Sequence, residues 1–165
     1  KMMVFPDLTR FTAKYDSLLS DSSVLGYYFH LYIDRRFFKD FIPEIVDFYD
    51  ETGQITDIKE EIATVYIRNF QTYIPFEKYL TEEYYYGDYT KMNTYLVNRY
   101  QIPTTLDPNI SNPGIKEVDY EDVKQVLKEL KTYLKVPEDA VKNVRVFDVE
   151  DLLFFLENAV GVFKI

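Results

Sequence analysis

Histidine is the residue type that titrates near neutrality, and the chain holds one, His30. Any general acid–base chemistry would start there. Its neighbours are Phe29, Leu31 and Tyr32, which predict a core or half-buried imidazole rather than a catalytic one. A histidine-based triad needs a hydroxyl nucleophile on a sharp turn, and no Gly-x-Ser-x-Gly occurs.

Carboxylates are the next source of chemistry. They are densest at Asp47-Asp50-Glu51, Glu60-Glu61, Glu82-Glu83 and Glu117-Asp119-Glu121-Asp122. Glu117, Asp119 and Glu121 alternate, so an extended loop would put all three on one side, as a weak Ca²⁺ site requires. The chain has no Asp-x-Asp-x-Asp-Gly, and these acids also suit the start of a helix, where they face the positive end of its dipole. The helix-start reading is preferred, and no metal ligand is assigned.

Other chemistries are excluded more firmly. The absence of cysteine removes disulfides, thiolate nucleophiles, Cys-bound zinc and iron–sulfur clusters. The five glycines never fall two within six residues, so neither Gly-x-Gly-x-x-Gly nor Gly-x-x-x-x-Gly-Lys can occur. No cofactor is expected. The net charge of −9 is spread along the chain, and the only adjacent basic pair, Arg35-Arg36, is flanked by Asp34 and Asp40. Phosphate backbones need clustered cations, so nucleic acid is not an expected partner.

The unusual local feature is Tyr84-Tyr85-Tyr86-Gly87-Asp88-Tyr89. Three consecutive helical rings point about 100° apart and cannot share one core. At least one must be exposed unless another segment covers it, and exposed tyrosines are enriched at binding surfaces. Tyr84, Tyr85, Tyr86 and Tyr89 are therefore the candidate protein-interaction residues, with Arg35 and Arg36 as a polar counterpart. The competing expectation is that a proline-rich loop at 102–115 packs over the three rings.

The elements that must position these residues follow from periodicity. Phe5, Leu8, Phe11, Tyr15, Leu18 and Leu19 recur at helical steps after Pro6-Asp7. Ser22 or Ser23 then caps the stretch around which the chain is organised, Val24 to Ile42, in which 12 of 19 residues are Val, Leu, Ile, Phe or Tyr. Its first ten residues are apolar nearly all round, so it reads as a buried central helix, too short to span a membrane. Pro43 is expected to stop or kink it. A short helix over 44–49 and a helix from Thr56-Asp57, burying Ile58, Ile62, Val65, Tyr66 and Phe70, are expected next. Pro75 opens another that ends at Gly87, and Asp88 caps a last one carrying Met92, Tyr95, Leu96 and Tyr100.

Residues 1–101 thus read as an aromatic-rich domain of five to six helices, with 23 of the 29 aromatics in residues 1–100. The prolines of 102–116 mark a loop or linker. Residues 117–165 read as helix, strand, helix, strand, packed on the first part. Asp119 caps a helix burying Val123, Val126, Leu127, Leu130, Tyr133 and Leu134. Val144–Phe147 alternates like a strand, Asp148 or Asp151 starts a helix stopped by Gly161, and Val162–Ile165 forms the second strand. The fold expected is mainly α, and α+β overall.

The functional expectation is a non-enzymatic protein-interaction or structural subunit of a larger assembly, with another protein or further copies of itself as partner. Elimination leaves a viral or phage component. Two alternatives remain: a hydrolase using carboxylates and His30, and an acidic inhibitor that mimics nucleic acid. The opening Lys-Met-Met-Val lacks the apolar run of a secretory signal, so an intracellular or virion location is expected.

Overall fold

The computed structural model describes residues 5–164, the side chains of Lys131 and Tyr133 excepted. The chain is mainly helical with one small antiparallel sheet, an α+β fold. That class agrees with the sequence; the position of the sheet does not.

Helix α1 (Leu8–Tyr15) is capped by Asp7, whose carboxylate accepts from the Arg10 N–H. Helix α2 (Ser22–Arg36) is capped by Asp21, which accepts from the Ser23 and Val24 N–H groups. Ser22 and Ser23 therefore lie inside the helix rather than capping it. Pro43 does not stop the helical course. It has no N–H to offer Lys39, and its ring would press on that carbonyl. The preceding turn, Phe37–Phe41, is widened instead, with the Ile42 N–H donating five residues back to the Phe37 carbonyl. The chain then continues as α3 (Ile42–Ile45).

From Val46 the expected helices give way to strands: β1 (Val46–Tyr49), β2 (Thr64–Ile67) and β3 (Thr72–Pro75), in the order β1-β2-β3, all antiparallel. Ile58, Ile62 and Val65 satisfy a helical spacing, but Thr64-Val65-Tyr66-Ile67 is also a β-branched and aromatic run with period two. Pairing settles the ambiguity. Val65 faces Phe48 on one side and Ile74 on the other, and Val65 and Ile67 become fully buried. Phe70, expected inside, is exposed. The β1–β2 connection begins with a turn held by the Asp50 carboxylate, which accepts from the Thr52 and Gln54 N–H groups, and Gly53 supplies the left-handed residue at φ 81°.

Pro75 ends β3, and the short α4 (Phe76–Tyr79) follows. Helix α5 (Tyr85–Tyr100) starts before Gly87 and runs through it, so Gly87 is not a stop. Beyond the irregular segment come α6 (Tyr120–Tyr133), capped by Asp119 through the Glu121 N–H, and α7 (Val149–Gly161), capped by Asp148. Val123, Leu127 and Leu130 of α6 are half-buried, Val126 is exposed, and the Tyr133 side chain lies outside those described. Neither expected C-terminal strand forms among the described residues. Val144–Phe147 pairs with a side chain rather than a strand, Val162–Lys164 is irregular, and Ile165 lies outside the described residues.

The core has two parts. The smaller joins Phe11, Tyr15, Val24, Tyr28 and Ile115; the larger gathers α3, the sheet, α5 and α7 around Phe37, Phe41, Val65, Met92, Phe147 and Phe155. The Val24–Ile42 stretch contributes to both, Val24 and Tyr28 to one and Phe37, Phe41 and Ile42 to the other. Tyr32 ties it to the far end of the chain by donating to the Ala159 carbonyl at 2.9 Å.

Candidate binding site

Helical spacing puts Tyr85, Tyr89, Met92, Asn93 and Leu96 along one face of α5. That face, with the end of α2 and its widened turn, α4, the inner face of β1 and α7, encloses an apolar cavity of about 940 Å³. Ile33, Asp34, Phe37 and Phe38 line it from α2 and the wide turn, Phe48 from β1, Tyr79 and Leu80 from the α4 region, and Leu152 and Leu156 from α7. Tyr86 also lines it and is 49% exposed; Tyr89 and Phe38 are 40% and 37% exposed. These three rings, with the exposed Lys59 and Glu60, are where the lining reaches solvent.

Each of the three exposed rings meets a buried ring at a steep angle. Tyr85 and Tyr89 meet at 5.1 Å and 86°, Tyr85 and Tyr86 at 5.5 Å and 71°, and Phe37 and Phe38 at 5.3 Å and 87°. Edge-to-face packing of this kind contributes about 0.5–1.5 kcal/mol per pair beyond area burial. The Tyr85 and Tyr89 hydroxyls share a hydrogen bond of 2.7 Å. Burial pushes both hydroxyls up from the ordinary tyrosine value, with the Asp34 charge adding to the effect, and it pushes Tyr79 up further inside. All three stay neutral at physiological pH and offer O–H groups, not a tyrosinate base.

The structure separates the candidate residues. Tyr84 is buried between the Lys78 ammonium, 5.3 Å from its ring, and the Arg145 guanidinium, 5.5 Å away. Tyr85 is buried against Tyr79 and Phe147. Only Tyr86 and Tyr89 reach solvent. The loop does not cover them: its one buried residue, Ile115, packs on α1 and α2 instead. Arg35 donates to the Pro6 carbonyl, and Arg36 to Asp40 and the Tyr32 hydroxyl; neither lines the cavity.

His30 is not a core residue. Its side chain is 63% exposed, lies tilted to the Tyr27 ring at 6.0 Å and stands 3.3 Å from Asp34. The histidine and acid lie one helical turn apart on α2, and the cavity wall beside them carries no Ser or Thr. The carboxylate clusters are dispersed into local roles. Asp47 takes two bonds from Arg68, at 2.6 and 3.0 Å, Glu83 pairs with Arg145, and Glu117 pairs with Lys14 and the Tyr15 hydroxyl. Asp119 is a helix cap and Glu121 pairs with Lys124. Among the described residues no three His, Asp or Glu side chains converge as a metal site would need, and no helix is long and apolar enough to cross a membrane.

Sequence reasoning missed the cavity. Its wall comes from segments read as separate helices, and β1 was not visible as a strand. The helix expected over Val24–Ile42 already carries Ile33, Asp34, Phe37 and Phe38 at helical spacing, but nothing local says that this face borders a cavity. Comparison of the chain with family models, with curated proteins and with solved structures finds no match.

Proposed function

We propose that this protein is a non-enzymatic interaction subunit that recognises a partner protein by receiving part of it in the cavity beneath Tyr86 and Tyr89. The observation that supports this is the combination of a large apolar cavity with exposed aromatic rings in its lining, each packed against a buried ring. Its volume of about 940 Å³ lies toward the upper end of the range, about 300–1,000 Å³, in which proteins hold bound groups. Tyrosines with an apolar face and a hydroxyl tip are the side chains that most often anchor such contacts. Charge narrows the partner: a net charge of −9, with Asp34 in the cavity wall, favours a contacting segment that is apolar and basic. The acidic-mimic alternative is less favoured, because Asp40, Asp47, Asp88 and Glu121 each pair with a Lys or Arg neighbour and no aligned row of carboxylates supports it.

Two measurements test the reading. Nile red, an uncharged apolar probe, should bind the wild-type chain, and Leu96→Trp, which puts a larger ring into the cavity wall, should weaken that binding. A partner captured from the native source should be lost with Tyr86→Ala and Leu96→Trp and retained with Arg68→Ala on the sheet. Equal capture by all variants, or no probe binding, overturns it.

A further inference from the structure

Tyr79 is the most buried of the polar residues that line the cavity, at 3% exposed. Its ring is held by Phe48 at 5.8 Å and Tyr85 at 5.2 Å. Among the described residues its hydroxyl makes no hydrogen bond. No buried side-chain oxygen or nitrogen among those residues is both sealed off and without a partner. The Tyr79 oxygen therefore keeps an opening, and the space this residue borders is the cavity. The Tyr85–Tyr89 pair adds capacity, because two hydroxyls sharing one bond keep a second proton and further lone pairs. Charge stays at the solvent side of the lining: Lys59 and Glu60 are exposed, and the Asp34 side chain, 40% exposed, stands against His30. The inner wall is uncharged, with Ile42, Ile62, Met92 and Leu152 all buried. A charged group taken inside would lose its water and meet no counter-charge.

On the reading that the cavity receives part of a partner, we infer that the group received is an uncharged aromatic side chain with a hydroxyl tip, a tyrosine, whose O–H pairs with the Tyr79 hydroxyl. A leucine or phenylalanine would fill the apolar wall but cover the Tyr79 hydroxyl without bonding it, and a buried polar group left unsatisfied is costly. Serine and asparagine bring the polar atom without the apolar body. Tryptophan has the body, but its N–H only donates and would leave the Tyr79 proton unanswered. A tyrosine hydroxyl both donates and accepts, and its ring meets a wall already built of rings, where edge-to-face contacts form.

The probes are the capped peptide Ala-Leu-Tyr-Leu-Ala, its forms with Phe or Lys at the centre, and free p-cresol as the isolated side chain. Each is titrated into the full chain loaded with Nile red, and displacement is read by fluorescence. The tyrosine peptide should displace the dye about fivefold or more better than the phenylalanine peptide, the worth of one hydrogen bond to a group otherwise left unsatisfied. Tyr79→Phe keeps the ring and removes a hydroxyl that bonds nothing among the described residues, so its urea midpoint should stay at the wild-type value. In that variant the order of the two peptides should reverse, because the incoming hydroxyl then lacks its partner. An unchanged order in Tyr79→Phe overturns the inference, as does equal displacement by the two peptides in wild type. A lysine peptide that displaces better than the tyrosine peptide overturns it too. So does p-cresol acting at the concentration of the tyrosine peptide, which would make the ligand a free phenol. If Nile red enters the cavity and no peptide displaces it, the inference fails and the cavity reading stands; if Nile red is also refused, the proposed function fails with it.

Discussion

The carboxylate of Asp88, in the first turn of α5, accepts a hydrogen bond of 2.7 Å from the backbone N–H of Val146, 58 positions further along the chain. The same carboxylate accepts from the Arg145 and Phe147 N–H groups and is paired with Lys91 at 3.0 Å. Asp88 has no exposed surface, so it is a charge taken wholly out of water and repaid by these contacts. It plays for Arg145–Phe147 the part a neighbouring strand would otherwise play, and it seats Val146 and Phe147 in the core ahead of α7. Asp88→Ala would strand buried donors and an unpaired ammonium, and should cost about 3–5 kcal/mol, by analogy with breaking other buried ionic networks. Urea unfolding measures the loss, and amide hydrogen exchange should show the 145–147 amides and α7 losing protection first. Unchanged exchange there would contradict the role assigned to Asp88.

Gly87 is placed by the same turn. A Cβ at this position would lie 1.8 Å from the Glu82 carbonyl oxygen, a backbone atom with no rotamer to escape through. Gly87→Ala, ordinarily favourable inside a helix, should here destabilise by about 3 kcal/mol or more, the upper end of the cost of overpacking. Gly26→Ala on α2, where nothing lies within 4 Å, is the control and should be neutral to stabilising. The pair of thermal unfolding curves decides between a packing demand and a generic glycine effect.

These two residues also show where sequence was legible and where it was not. Gly87 and Asp88 carry the usual local meanings of helix stop and helix cap, and both meanings are wrong here, because each is answered by a distant or folded-back segment. The caps at Asp119 and Asp148 are answered within three residues, and those were readable. The same division runs through the fold. The α1 and α6 periodicities, the apolar run of α2 and the cap of α7 are strong local signals, and the helical part of the fold class followed from them; the strands expected near the C-terminus lie at 46–75 instead. Residues 58–70 read as a helix because 58, 62 and 65 carry a helical spacing, while Thr64–Ile67 also alternates as a strand does, and only pairing with β1 and β3 selects the strand. At the site, the direction argument takes three consecutive tyrosines as helical, whereas Tyr84 stands before α5 in a non-helical conformation and Tyr86 is the exposed ring of the three. It could not say that Tyr84 is buried by Lys78 and Arg145, nor that Tyr86 and Tyr89 rim a cavity, since those depend on elements far apart in sequence.

Glu117 gives the fold a defined acid sensitivity. Its hydrogen bonds from Lys14 first, and from the Tyr15 hydroxyl second, hold its carboxyl down at about 2, below the ordinary glutamate value of 4.5. The Tyr15 hydroxyl also accepts from the Lys116 N–H, so the group fastens the end of the proline-rich segment to α1. A folded-state value below the unfolded one means the stabilisation is present above pH 4.5 and is lost as pH falls toward 2. Wild type should therefore show a falling melting temperature across that window, and Glu117→Gln a shallower one. Because Glu117 is solvent-exposed, the difference should shrink in high salt. Parallel curves for the two proteins would show that the pairing does not link this loop to folding.

The tyrosine triplet offers a test that separates packing from recognition. Tyr85 is 7% exposed and packed between Tyr79 and Phe147, so Tyr85→Ala should cost about 3–5 kcal/mol, as truncation of a buried aromatic does. Tyr85→Phe keeps the ring and loses the 2.7 Å bond to Tyr89, which should cost only about 1 kcal/mol. Tyr84 is also buried, and Tyr84→Ala should cost more than its lysine and arginine contacts alone because it removes packing as well. Tyr86 is 49% exposed, so Tyr86→Ala should stay within about 1 kcal/mol of wild type. The order of urea midpoints, Tyr86→Ala above Tyr85→Phe or level with it, and both well above Tyr85→Ala, is the expected outcome. If Tyr86→Ala unfolds the chain as readily as Tyr85→Ala, its ring is a structural element, and loss of partner capture by that variant would say nothing about recognition.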